Sequence, residues 1–280
     1  MVSRARTDGR RGLRLLLVVL VLAVAAWVVL VVRQAGTTGS PPQTAGATVA
    51  GSSSSAPPTT PPTTPSPTPS PTPSPTPTLP AEPTFDRTQL SIDDPASSWI
   101  VVDKARPLSP LDWAPADLVD IGGGRLLRAE AAQALDDMIV AAAGEGLVLS
   151  VESAYRSYDY QVGVFRNQVA RFGQTQAEVQ VARPGYSEHQ TGLTADIGGG
   201  GCEIETCFAT TAEGRWVAAN GHRFGFLIRY PDGKQDVTGF KFEPWHVRYV
   251  GVALATEMVR TGVPTMEEFF GLPPAPGYTN

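Results

Sequence analysis

Ser187-Glu188-His189-Gln190-Thr191-Gly192-Leu193-Thr194-Ala195-Asp196-Ile197 carries one imidazole and, seven residues later, one carboxylate. The glycine between them lets the backbone turn back. Some fifty residues downstream, Glu243-Pro244-Trp245-His246 adds a second imidazole and a spare carboxylate. Of the three histidines in the chain, two fall in these phrases. Two imidazoles and one carboxylate match the open shell of a catalytic zinc, which keeps a fourth position for water. His189, Asp196 and His246 suit Zn²⁺ better than Mg²⁺ or Ca²⁺, which prefer oxygen donors throughout. A carboxylate beside such a metal serves metallohydrolases as general base, and on residue type alone Glu243 and Glu188 both qualify. His222, in Asn220-Gly221-His222-Arg223, has no neighbouring donor and reads as structural.

Around these phrases the pattern alternates between helix and strand. Apolar positions predict a helix over 127–143, with Leu135, Met138, Ile139 and Ala142 on one face and Gly144 as its stop. A β-rich run at 147–153 reads as a core strand. Ser157 can cap a helix that reaches Phe172 and closes at Gly173, and Thr175 can open a shorter one before Pro184-Gly185. The His189 phrase then sits on a turn leading into a strand at 193–197. Thr211 can cap another helix carrying Trp216, Val217 and Asn220. Strands follow at 226–230 and 239–249, separated by the turn Pro231-Asp232-Gly233, and a helix at 250–260. The tail beyond Gly271 is Pro-rich and is expected to be loose. Helices first and clustered strands later predict an α+β fold, a small antiparallel sheet covered by helices with the metal at the sheet.

Glu243 and His246 raise a geometric question. Residues three apart on a regular strand point to opposite faces. Pro244 removes a ladder donor and marks an edge, bulge or strand end, where that alternation breaks. Cys202 and Cys207 follow a loop at 198–201 that is all glycine. A disulfide is the first reading in an oxidising compartment, and a zinc knuckle the second, although two cysteines do not complete a four-ligand shell.

The amino-terminal third is different. Residues 1–33 contain six arginines and one aspartate, a local charge of +5 in a chain of net −5, so residues 34–280 carry −10. That balance argues against a nucleic-acid partner for the later part. An unbroken apolar run of 18 residues from Leu15 to Val32 is long enough to span a bilayer. Basic residues precede it, which places residues 1–14 in the cytoplasm, 15–32 in the membrane as a signal anchor, and the rest outside. A cleaved signal peptide is the competing reading, supported by Ala23, Ala25 and Ala26. Residues 33–84, rich in Pro, Ser and Thr, are expected to be a disordered linker, extended where prolines alternate. Residues 85–280 form the folded domain.

Three phrases are specific when taken together: Ser153-Ala154-Tyr155-Arg156-Ser157, the stretch from Ser187 to Ile197, and the stretch from Glu243 to Gly251. They resemble the VanY-type D-alanyl-D-alanine carboxypeptidases, part of a zinc peptidase group that includes lysostaphin-like enzymes and the hedgehog amino-terminal domain. The resemblance spans roughly residues 96 to 271. It implies one Zn²⁺ per chain and a D,D-carboxypeptidase acting on peptidoglycan stem peptides that end in D-Ala-D-Ala; the chain is expected to be a monomer. It also selects Glu243 over Glu188 as base. It sets Arg156 against the reacting carbonyl or the substrate carboxylate, where a guanidinium fork suits an oxyanion; a structural pairing of Arg156 with Asp159 is the bland alternative. Gln161 and Ser187 match positions near the substrate, and Trp245 walls the pocket or belongs to the core. The same site would also suit a peptidoglycan endopeptidase or a D-Ala-D-Ala dipeptidase. A non-catalytic cell-wall-binding module is the reading from another class, against which the intact Glu243 and Arg156 count.

Overall fold

A computed structural model of the chain describes residues 84–279. The apolar run at 15–32 and the proline-rich stretch lie outside the described residues. Among the described residues, no helix is long and apolar enough to cross a membrane.

Four strands form the central antiparallel sheet: β3 (Ser150–Ser153), β4 (Thr194–Gly198), β5 (Phe226–Tyr230) and β6 (Glu243–Tyr249), in the order β3-β4-β6-β5. A separate hairpin pairs β1 (Leu118–Asp120) with β2 (Leu126–Arg128) through a turn containing Gly122, Gly123 and Gly124, all at positive φ. Helix α1 (Ala129–Gly144) follows directly. The helix expected from residue 127 therefore starts two residues later, because Leu126–Arg128 is held in the hairpin. Leu135, Met138 and Ala142 fall on one side of α1 and are buried, as their 3.6-residue spacing requires.

Helix α2 (Tyr158–Phe172) begins where Ser157 Oγ accepts the Tyr160 N–H, and it ends at Gly173. A short α3 (Gln174–Glu178) succeeds it without a side-chain cap. Helix α4 (Ala212–Asn220) is capped by Thr211 Oγ1, which accepts from Gly214 N. The strand expected from Gly239 starts only at Glu243. The residues before it leave α5 (Gln235–Thr238) through a left-handed Gly239, and Phe240 N donates to Thr238 Oγ1. The run predicted as a strand from Leu147 likewise begins at Ser150.

The two faces of the sheet are chemically unlike. Ala195, Ile197, Trp245, Val247 and Phe226 pack with α1 and α4 into the main apolar core. The opposite face presents Asp196, His246, Arg229 and Arg248, all buried. Part of that face is covered by segment 99–102, every residue of which is buried, with Arg248 donating to Ile100 O and Arg229 to Val102 O. Ile100 and Val102 join the main core, whereas Trp99 and Val101 join a second cluster with α6 (Val252–Thr261) and α7 (Met266–Phe270).

The tail expected to be loose is instead docked. Ala275 N donates to Val237 O, Lys104 Nζ donates to Pro276 O, and the Tyr278 hydroxyl accepts from Arg183 N at 2.8 Å. Its prolines remove donors, but its carbonyls and one aromatic ring supply partners that composition does not reveal.

Candidate active site

Asp196 and His246 are direct cross-strand partners in the β4–β6 pairing, which places both side chains on the polar face. His189 arrives from a single 3₁₀ turn, Glu188–Thr191, that Gly192 closes in the left-handed conformation at φ 68°. Its ring meets that of His246 edge to face at 5.0 Å between centroids. One donor atom from each of His189, Asp196 and His246 lies within 4.8 Å of the others.

The hydrogen bonding leaves lone pairs aimed at one another. His189 Nδ1 lies 2.7 Å from the Ala154 carbonyl. A carbonyl only accepts, so the proton sits on Nδ1 and Nε2 carries the lone pair. That Nε2 and Asp196 Oδ1 are buried without a hydrogen-bond partner. Nε2 nevertheless stands 3.3 Å from Asp196 Oδ2, and His246 Nδ1 stands 3.3 Å from Asp196 Oδ1. Several acceptors converging on one buried point fit a cation, and the N/O donor set fits Zn²⁺.

The electrostatics point the same way. Burial, with the Arg156 guanidinium adding to it, pulls His189 down to about 4, so it is neutral and able to donate. Burial disfavours charge on His246 too, but the carboxylates of Asp196 and Glu188 beside its two nitrogens outweigh it and lift the ring to about 9. Burial likewise opposes ionisation of Asp196, yet His189 and His246 hold it well below the usual carboxylate range. The pocket thus has a surplus of negative charge that a proton or a metal must balance.

Glu243 enters from the start of β6. The β5–β6 register shifts between Ile228 and Tyr230, so that Tyr230 pairs with Glu243. This irregularity around Pro244 breaks the alternation, and Glu243 Oε2 comes within 3.7 Å of His246 Nδ1. Burial first, with Asp196 adding to it, pushes the Glu243 carboxyl up to about 7. A group poised there can both take and give a proton near neutrality.

Arg156 follows the end of β3 and is tied to the metal phrase by its backbone N–H, which donates to His189 O. Its Nη2 donates to Asp196 Oδ2 at 3.1 Å and its Nη1 to Gln161 Oε1 at 3.4 Å, while Nε has no partner. The ion pair thus goes to Asp196, not to Asp159. Gln161 is fully buried and donates from its amide to Ala182 O. Both ends of its amide are engaged, so it holds Arg156 in place. Ser187 and Trp245 line the same cleft of about 520 Å³, and Trp245 also belongs to the main core. Lys241 and Arg171 add further cations to the cleft.

Glu188, the rival base, faces away from the donor triad: its Oε2 lies 3.4 Å from His246 Nε2, on the other side of that ring. Tyr230, which sequence reasoning passed over, packs its ring 4.7 Å from the ring of His246. The register shift brings it there; Pro244 marks an irregularity in β6, but not which residue of the facing strand it brings to the site. Arg229 and Arg248 were also missed, although an arginine inside each of two β-rich runs is a visible signal of a buried charge partner. Cys202 and Cys207 form a disulfide, with Ile204 and Glu205 between them at the cleft rim. His222 sits in a separate 3₁₀ turn away from the donor triad.

A sheet-borne pair of imidazoles with one carboxylate, a buried glutamate near neutrality and a guanidinium in one cleft is the equipment of a metallopeptidase. Comparison with known proteins narrows the class. Residues 124–252 match the VanY family, D-alanyl-D-alanine carboxypeptidase. A D-alanyl-D-alanine carboxypeptidase from Enterococcus faecalis is 33% identical over 200 residues, covering 68% of this chain and 72% of the relative. Among solved structures, the LdcB LD-carboxypeptidase is 41% identical with a TM-score of 0.59, covering 63% of this chain and 87% of that one. A mutant of the vancomycin resistance D,D-pentapeptidase VanY from a VanB-type cassette, in complex with Zn(II), is 32% identical with a TM-score of 0.55, covering 62% and 98%. The chain belongs to the VanY family of D-alanyl-D-alanine carboxypeptidases, zinc-dependent metallopeptidases.

Proposed function

We propose that this chain is a membrane-tethered, extracytoplasmic D,D-carboxypeptidase that removes the terminal D-alanine from peptidoglycan stem peptides. One observation carries the reading: His189 Nε2 and Asp196 Oδ1 are buried without hydrogen-bond partners and converge with His246 Nδ1. His189, Asp196 and His246 would hold one zinc ion, whose contribution when bound is to polarise the scissile carbonyl and acidify water. Glu243 takes a proton from the attacking water and delivers it to the leaving D-alanine amine. Arg156, fixed by Asp196 and Gln161, points cationic charge at the oxyanion or at the substrate carboxylate. Burial of Glu243 and both histidines limits competition from bulk water.

A second reading rests on a specific similarity. The LdcB neighbour, 41% identical, is an LD-carboxypeptidase. In this reading the chain removes the next D-alanine in, the one that ends a tetrapeptide, where an L-centre precedes the scissile bond.

The test is to incubate the zinc-loaded chain with a pentapeptide ending in D-Ala-D-Ala and with the tetrapeptide ending in one D-alanine, and to identify products by mass. Loss of one D-alanine from the pentapeptide is expected. Release from the tetrapeptide alone would favour the second reading. Internal cleavage would favour an endopeptidase, and hydrolysis of free D-Ala-D-Ala a dipeptidase. A chain that takes up no zinc on loading and releases no product would favour a binding module.

A further inference from the structure

Glu188 is adjacent to His189 in sequence and completely buried, yet its carboxylate takes no part in the donor triad. Oε1 accepts from Arg229 Nε at 2.8 Å and from Arg248 Nη1 at 2.7 Å. Both arginines are themselves fixed. Arg229 forms a two-pronged pair with Glu267, at 3.0 and 2.7 Å. Arg248 donates to the carbonyls of Ser98 and Ile100. The remaining oxygen, Oε2, faces His246 Nε2 at 3.4 Å.

A neutral imidazole carries one proton, and a carboxylate can only accept it. Both ring nitrogens of His246 face carboxylates, Nδ1 at 3.3 Å from Asp196 and Nε2 at 3.4 Å from Glu188, but a cation held among the triad atoms would take the Nδ1 lone pair and leave the single ring proton on Nε2, toward Glu188. His189 is arranged in the opposite sense, with Nδ1–H donated to Ala154 O and Nε2 facing the triad. We propose that Glu188 is a positioning residue that fixes the Nε2–H tautomer of His246, so that His246 offers Nδ1 to the metal while His189 offers Nε2. The inference rests on the metal site of the proposed function. It makes Arg229 and Arg248 the anchors of that tautomer, through Glu188, and not members of the site. The competing explanation is that Glu188 merely neutralises two buried arginines. That role would be indifferent to which nitrogen of His246 carries the proton.

The experiment uses the full chain with ¹⁵N-labelled histidine, loaded with zinc, and reads the imidazole resonances. Three histidines make the spectrum assignable, with His222 as internal control. A protonated Nε2 with metal-bound Nδ1 is expected for His246, and the reverse for His189. His246 bound through Nε2 would overturn the inference. The variant Glu188→Gln keeps an oxygen for the arginines but offers His246 at best an N–H₂ that cannot accept. Its zinc affinity, measured by chelator competition, should fall about 10- to 100-fold, and the His246 Nε2–H signal should be lost while circular dichroism is unchanged. A folded variant with unchanged affinity and unchanged His246 signals would also overturn it. Should the variant not fold, the wild-type tautomer decides alone. A wild-type chain that takes up no zinc would overturn the proposed function, and this inference with it, whereas zinc bound through the wrong nitrogen removes the inference only.

Discussion

Glu243 and Arg156 face one cleft but act at different moments of the proposed reaction. Glu243 moves a proton and does not complete the donor triad, so Glu243→Ala should retain zinc by elemental analysis while turnover falls at least about 100-fold. Arg156 is more constrained, since Asp196 and Gln161 already occupy its two terminal nitrogens. Lysine keeps the charge but cannot make both bonds. Arg156→Lys should therefore lower kcat with KM little changed, the signature of a contact made in the transition state. A raised KM with unchanged kcat would assign Arg156 to ground-state carboxylate binding instead. The candidate ligands were legible because their residue types and spacing are unusual and His is rare in this chain. Glu188 was legible only as a carboxylate near a histidine. Which side of the His246 ring it occupies depends on two arginines some forty and sixty residues away in sequence, and no local pattern carries that.

Elements with local signals were readable, and those defined by distant partners were not. The second helix announced both ends through Ser157 and Gly173, and the fifth strand was bounded by glycine and a turn. The buried segment 99–102 and the docked tail carry no periodicity, because their partners lie on α6, α7 and the loop before the His189 turn. Truncation after Gly271 removes the bonds from Lys104 to Pro276, from Arg183 to Tyr278 and from Ala275 to Val237. Each is worth about 1 kcal/mol, so a loss of about 2–4 kcal/mol is expected in denaturant titration. An unchanged midpoint would show that the tail is only laid against the surface. The disulfide loop holds Ile204 at φ 51°, a conformation uncomfortable for a β-branched residue, at the rim of the cleft. Replacing both cysteines with serine should let this loop relax, raising KM several-fold without loss of zinc. Steady-state kinetics with metal analysis would detect either change.

On the scale of the whole molecule, a basic start and an 18-residue apolar run at 15–32 precede a stretch rich in Pro, Ser and Thr and then the enzyme domain. Protease added to intact spheroplasts should release that domain from the membrane fraction; full protection would reverse the orientation, and a mature chain starting near residues 27–37 would establish signal cleavage. The domain itself is closed by contacts between its two ends. Arg87 reaches Phe269 O, Trp99 donates to Val250 O across 151 residues, and Lys104 reaches Pro276 across 172. Such pairings have a consequence during synthesis. The segment at 87–104 leaves the ribosome some 150 residues or more before its partners at 250–276. Until they emerge, Trp99 and Val101 have no apolar surface to cover them, and Arg248 has not yet been made to hold residues 98–100. Folding that waits on contacts so far apart in sequence is slow. A nascent chain stalled anywhere before residue 250 should thus remain open to protease and to holding chaperones, and acquire resistance only once residues 250–276 have been released.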